Sequence, residues 1–122
     1  MYKFVNPNPR GLLIGDCAVR AAAIACEMTW DEAYTGLCDM GLYLKNMPNA
    51  DSVWGAFLKS MGFVRHTCPE CYSVRAFSED HPRGTYVLGT GNHVVAVIDG
   101  NYCDTWDSGD EIPIVYWREV NL

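Results

Sequence analysis

The chain has 122 residues, 49% of them hydrophobic and 20% charged, which suits one domain with a buried core and excludes a disordered segment. Nine basic residues against fifteen acidic ones leave a net charge of −6, the wrong sign for a nucleic-acid binder, which needs a basic face to meet phosphates. No apolar run nears the length of about eighteen residues that a membrane span needs, and Met1 to Pro9 shows no secretory pattern, so a cytoplasmic protein without membrane or nucleic-acid partners is expected.

Asn6-Pro7-Asn8-Pro9-Arg10-Gly11 reads as an irregular lead-in, punctuated by two prolines and a glycine. From Asp16 to about Met28, the small residues Ala18, Ala21, Ala22 and Ala25 with Ile24 predict a helix buried at close range. Thr29-Trp30-Asp31-Glu32 is a capping box, with Thr29 as N-cap and Glu32 at N3. It opens a second helix through Ala33, Tyr34, Leu37 and Cys38 that is expected to end near Gly41. A third helix, from about Asp51 to Met61, carries the apolar stripe Val53, Trp54, Phe57, Leu58 and Met61, with Gly62 as its stop. Ser73 to Asp80 predicts a short fourth helix.

The period then changes. Thr85 to Leu88 and His93 to Ile98 read as strands, and the unbroken apolar run of the second implies cover on both faces. Asp99-Gly100 is a two-residue hairpin signal that returns the chain along Asn101 to Trp106. Ile112 to Trp117 is the last strand. Helices first and an antiparallel meander second make an α+β layout.

The six cysteines read as reduced thiols in a cytoplasmic protein, and Cys17, Cys26 and Cys38 fall in helical segments where thiols pack as small hydrophobes. Cys17 differs from the rest. It follows Gly15-Asp16 at the first turn of a helix, where unpaired N–H groups and the helix dipole favour a thiolate. His93 heads a buried strand, and the carboxylates Asp104 and Asp107 lie just past the following hairpin. A two-residue loop at Asp99-Gly100 sets Asp104 on the same side of the sheet as His93, diagonal to it; a loop changed by one residue would bring Asp107 there instead. Thiol, imidazole and carboxylate in that order form the general layout of an activated nucleophile.

Gly15-Asp16-Cys17 opening a small-residue helix, His93 starting a strand and Asp104-Thr105-Trp106 on the next strand resemble the papain-like cysteine peptidases, most closely their compact bacterial, bacteriocin-processing branch. The chain is also similar to small uncharacterised proteins of phages and prophages. The resemblance implies a papain-like α+β domain over residues 1–122, its N-terminal helices carrying Cys17 and its small antiparallel sheet carrying His93 and Asp104. Asp104 would orient the imidazole and Trp106 would shelter their hydrogen bond and border the substrate. Papain-like enzymes usually place a glutamine shortly before the cysteine; the matching place here is Gly11, six residues upstream, and the nearest amide is Asn8, nine residues upstream. Asn8 is therefore expected either to hold an oxyanion together with the Cys17 N–H or to cap the turn before Pro9.

The implied function is thiol-dependent cleavage of an amide or isopeptide bond in a protein or peptide, a host bacterial protein being one such partner, without a cofactor. Transglutaminase-like acyl transfer and a phage-encoded inhibitor that keeps the fold are the alternatives, the acidic balance suiting a basic target surface. Other signals read more plainly. Cys68-Pro69-Glu70-Cys71 is half a zinc knuckle, with His66 and His81 nearby, and is expected to be a surface turn with free thiols and no metal. Arg20, one turn after Cys17, is expected to pair with a carboxylate, and Asp16 to turn its charge away from the thiol. Trp30, Trp54, Phe57 and Phe63 are expected in the core, and Trp117 in the core or beside a groove.

Overall fold

The computed structural model describes residues 1–120 and contains four helices and six strands. In chain order they are β1 (Tyr2–Phe4), α1 (Cys17–Ala25), α2 (Trp30–Leu44), α3 (Asp51–Ser60), β2 (Phe63–Thr67), α4 (Val74–Asp80), β3 (Thr85–Gly89), β4 (Val94–Ile98), β5 (Asn101–Asp104) and β6 (Val115–Glu119). All six strands share one sheet in the order β1-β5-β4-β3-β6-β2. Every pairing is antiparallel except β1 beside β5. The architecture is α+β.

Local chemistry accounts for the elements that position Cys17 and His93. The Thr29 side chain accepts from the Glu32 N–H while the Glu32 carboxylate accepts from the Thr29 N–H, so the capping box starts α2 as its sequence predicts. This helix runs past Gly41 to Leu44. Gly41 is needed for space and is no stop: a Cβ there would lie 2.7 Å from the Asn46 carbonyl oxygen. Lys45, at φ 58, supplies the left-handed residue that ends the helix. At the β4–β5 hairpin Asp99 and Gly100 both take positive φ, 47 and 84, as a two-residue type I′ turn requires. Ile98 and Asn101 are thereby paired, followed by Val97 with Tyr102 and Ala96 with Cys103.

The sheet is covered on both faces. Val94 and Ala96 of β4 pack with α1, α2 and α3 in a cluster built from Ala18, Ala21, Ala22, Leu37, Trp54 and Phe57 among others. Val95 and Val97 point the other way, against Val74 and Phe77 of α4 and Tyr102 of β5. This is the two-sided burial that the apolar run implies. The alanines let α1 lie close on the sheet, since larger side chains at those positions would force it outward. Trp117 is in the core, edge-on to Trp54 with ring centroids 6.4 Å apart.

Two strands lie outside the sequence expectation. β1 precedes the Asn6–Gly11 lead-in, where no element was expected, and adds a parallel partner to β5. β2 follows α3 directly and pairs with β6. Both are edge strands, held by partners far along the chain. The last strand is also displaced: residues 112–114 precede it, and pairing starts at Val115. No helix of the described residues is long and apolar enough to cross a membrane.

Candidate active site

Cys17 is the first residue of α1, and Asp16 precedes it as N-cap without a side-chain capping bond. The helix therefore leaves its first N–H groups free around the thiol. His93 lies immediately before β4, where a tight turn over residues 90–93 brings Thr90 N–H to the His93 carbonyl at 2.9 Å. Extending the Ala96–Cys103 pairing by one step sets Asp104 level with Val95, two residues from His93 on the same alternation. The two side chains meet: His93 Nε2 is 2.6 Å from Asp104 Oδ2. The same imidazole and the Val94 backbone N–H also act on the Cys17 thiol, both favouring its ionised form. Helix tip and hairpin thus bring together three side chains that are remote in sequence.

Asp107 is elsewhere. Its Oδ1 accepts from the Tyr102 hydroxyl at 2.6 Å and the Gly109 N–H at 3.0 Å, and it faces Arg75. Between the two carboxylates, only Asp104 contacts the imidazole.

The surroundings of Asp104 are fully assigned. Oδ2 also accepts from the Ser108 hydroxyl at 2.6 Å. Oδ1 accepts from the Thr105 N–H at 2.8 Å and from Arg20 Nη2 at 3.2 Å. Arg20 is itself only 5% exposed; it pairs with Asp16 and donates to the Ile14 carbonyl at 3.2 Å. The remaining oxygen of Asp16 accepts from Trp30 Nε1 at 2.8 Å. Asp16 therefore does turn its charge from the thiol, into a buried cation and an indole. Trp30 belongs to this network, stacked on Tyr34 at 5.0 Å, and is only half-buried, contrary to its expected place in the core. Its polar N–H requires a partner when buried, and Asp16 sits within reach.

Protonation follows from these contacts. Burial by itself would raise the Cys17 pKa, but the bond to His93, the Val94 N–H and the positive charges of His93 and Arg20 outweigh it and hold the thiol below its ordinary value. Burial would lower the His93 pKa; the bond to Asp104, the bond to Cys17 and both negative charges instead push it up to about 9. Asp104 is held below the usual carboxylate value despite its burial, through His93, Ser108 and the Thr105 N–H. Both shifts favour the thiolate–imidazolium form of the pair. Other thiols behave oppositely: burial pushes Cys26 and Cys68 up to about 11. Cys17 is the thiol whose surroundings favour ionisation.

Trp106 lies over His93, with ring centroids 4.8 Å apart, and is 46% exposed. It can both limit water at the imidazole and touch a bound chain. Asn8 is buried, with its Oδ1 accepting from the Arg10 N–H at 2.9 Å and its carbonyl accepting from the Gly11 N–H at 2.9 Å. That is the turn-capping role. Its amide Nδ2 is left for another acceptor, and no hydrogen bond joins Asn8 to Cys17, His93 or Asp104 among the described residues.

The remaining candidates lie apart. Cys68 is buried and donates its N–H to the Ile114 carbonyl, so only Cys71 is the exposed thiol expected of that turn. His66 stacks on Tyr116 and His81 on Phe77. No group of three or more potential metal ligands forms among the described residues.

Ser108 and Trp30 were not legible as site residues. Ser108 carries no motif, and the Asp16–Arg20 spacing of four is a common helix pair whose burial only the fold sets. No protein-family model, curated protein or solved structure matches the chain.

Proposed function

We propose that the protein is a papain-like thiol hydrolase that cleaves an amide or isopeptide bond in a protein or peptide. The observation that carries this reading is the 2.6 Å contact of His93 Nε2 with Asp104 Oδ2, on an imidazole that also acts on the Cys17 thiol. A base within reach of a nucleophile and oriented by a third group is what acyl transfer through sulfur needs.

The steps follow from the charges. The Cys17 thiolate attacks the carbonyl carbon, a C–S bond forms, and the oxygen becomes an anion. The Cys17 N–H at the tip of α1 and the Asn8 Nδ2 amide are the proposed donors to that anion. Imidazolium His93 gives its proton to the leaving nitrogen as the C–N bond breaks. Neutral His93 then takes a proton from water, which attacks the thioester and releases Cys17. An amine in place of water would make the same site an acyl transferase. Asp104 stays ionised throughout and stabilises the imidazolium. Trp106 covers the pair and borders the bound chain.

The test is labelling by a thiol-directed activity probe in wild type, Cys17→Ala and His93→Ala. Loss of label in both variants is expected. Equal labelling of wild type and His93→Ala would remove the enzyme reading. If Cys17→Ala retains the biological effect and partner binding, the fold serves as an inhibitor instead.

A further inference from the structure

Aspartate is among the residues that most favour a helix N-cap, because its carboxylate accepts from the N–H of N2 or N3. Asp16 holds that place ahead of Cys17 and makes no such bond. A capping carboxylate would take up the N–H of Ala18 or Val19 and set a negative charge over the helix tip that carries Cys17. Two other bonds divert it. One of its oxygens pairs with Arg20, and the other accepts from Trp30 Nε1 at 2.8 Å.

The second bond comes from a different element. Trp30 is the first residue of α2, and its ring is stacked on Tyr34, so the direction of its N–H is set from outside α1. Packing does not fix the carboxylate. A cavity of about 250 Å³, bordered by Gly15, Asp16, Ala18 and Trp30 among others, lies beside it. With room to move, Asp16 is kept in place by its hydrogen bonds.

We propose that Trp30 is a positioning residue for the nucleophile: its indole N–H holds the Asp16 carboxylate off the tip of α1 and leaves that helix end to the Cys17 thiolate and to the oxyanion formed on attack. The inference rests on the thiol-hydrolase reading above. Trp30 acts through Asp16 and takes no part in the bond changes. The other charged groups about the thiol are His93 ahead of β4 and Arg20 on α1, with Asp104 of β5 bonded to both. Asp16 adds an acid next to Cys17 in the chain, and its effect depends on where its charge is held. At the helix tip it would cancel part of the positive potential that favours a thiolate.

The experiment follows the pH midpoint of Cys17 alkylation by iodoacetamide in wild type, Trp30→Phe, Asp16→Asn and the double variant. Trp30→Phe keeps an aromatic ring and loses the N–H. Its midpoint should rise by roughly 0.5–1 pH unit, the effect of a charge moved onto a helix end. In the Asp16→Asn background the same change should move the midpoint by less than about 0.3 unit, because no acid remains to reach the tip. A merely structural loss would act with or without the acid, so equal rises in both backgrounds would overturn the assignment. So would an unmoved midpoint in Trp30→Phe beside a lowered one in wild type, which leaves the hydrolase reading standing. Should Trp30→Phe not fold, 3-benzothienylalanine at position 30 keeps both rings and lacks the N–H, and the same pair of outcomes decides. A wild-type midpoint like that of an ordinary thiol would instead bring down the hydrolase reading, and the role of Trp30 with it.

Discussion

Arg20 Nη2 lies 3.2 Å from Asp104 Oδ1, so the helix that presents the thiol also carries the cation that holds the carboxylate. Arg20 sits inside the protein between two buried acids, Asp16 and Asp104. A buried carboxylate beside a thiolate would otherwise raise the negative charge of the site. The guanidinium offsets it and leaves the second carboxylate oxygen free for His93. Sequence position alone suggests a helix-surface pair; burial makes it part of the site.

Arg20→Met should therefore have two effects. Removing one side of a buried ion pair leaves Asp16 without its cation and Asp104 with His93 alone to offset it, a loss of about 3–5 kcal/mol. The Cys17 thiol, no longer facing that cation, should titrate at higher pH. Arg20→Lys keeps the charge but loses the forked geometry, and should lie between the two. Urea unfolding and the pH profile of Cys17 alkylation read these effects separately. A wild-type profile in a folded Arg20→Met protein would show that the cation does not tune the thiol.

Alkylation by iodoacetamide should single out Cys17 at about neutral pH, where free thiols of ordinary pKa are mostly protonated. Cys26 and Cys68, pushed up to about 11, should react only in strong alkali. The sign of the His93 effect is opposite to that of burial at Cys17. Removing His93 leaves burial opposed only by the Val94 N–H and Arg20, so His93→Ala should move the Cys17 midpoint upward. Turnover should fall again as pH rises through about 9, where His93 loses the proton needed by the leaving group. Peptide mass spectrometry after timed alkylation checks the order of labelling. An unmoved midpoint in His93→Ala would contradict the ion pair.

The two nearby carboxylates should separate cleanly. Asp104→Asn removes the charge that supports imidazolium, lowering the His93 pKa from about 9 and cutting turnover of a model amide by at least about a hundredfold. Asp107→Asn touches only Tyr102, Gly109 and Arg75, and should stay within about twofold of wild type. Similar losses in both variants would mean that Asp107 serves the imidazole after all.

Ser108→Ala tests the support behind Asp104. Its buried hydroxyl donates to Oδ2 at 2.6 Å, and its removal should cost about 1–3 kcal/mol. Asp104 has a folded pKa below its ordinary 3.8, so the stability it contributes is present above that value and is lost as pH falls through the folded pKa. The deficit of Ser108→Ala should accordingly be full near neutral pH and shrink in acid. Chemical denaturation at several pH values measures it; a deficit that grows on acidification would refute the assignment.

Much of the layout could be read from short stretches. Thr29 with Glu32 marks a helix start because both bonds close within four residues. Asp99-Gly100 marks a hairpin because two adjacent positive φ angles suit these residue types. With that turn, the pairing that brings Asp104 rather than Asp107 to His93 follows by counting. The edge strands were not readable in this way. Tyr2–Phe4 has three residues and Phe63–Thr67 has a mostly exposed face, so neither shows the burial pattern that announces a strand. Each is held by a partner strand near the end of the chain.

By itself, then, the sequence determined the helices, the central hairpin and the three chemical groups Cys17, His93 and Asp104, because capping, turn geometry and alternation act over a few residues. Only the tertiary structure decided that Arg20, Ser108 and Trp30 belong with them, and that the Cys17 pKa is shifted down while those of Cys26 and Cys68 are shifted up. Those properties depend on distance and burial, which arise when segments far apart in the chain exclude water together.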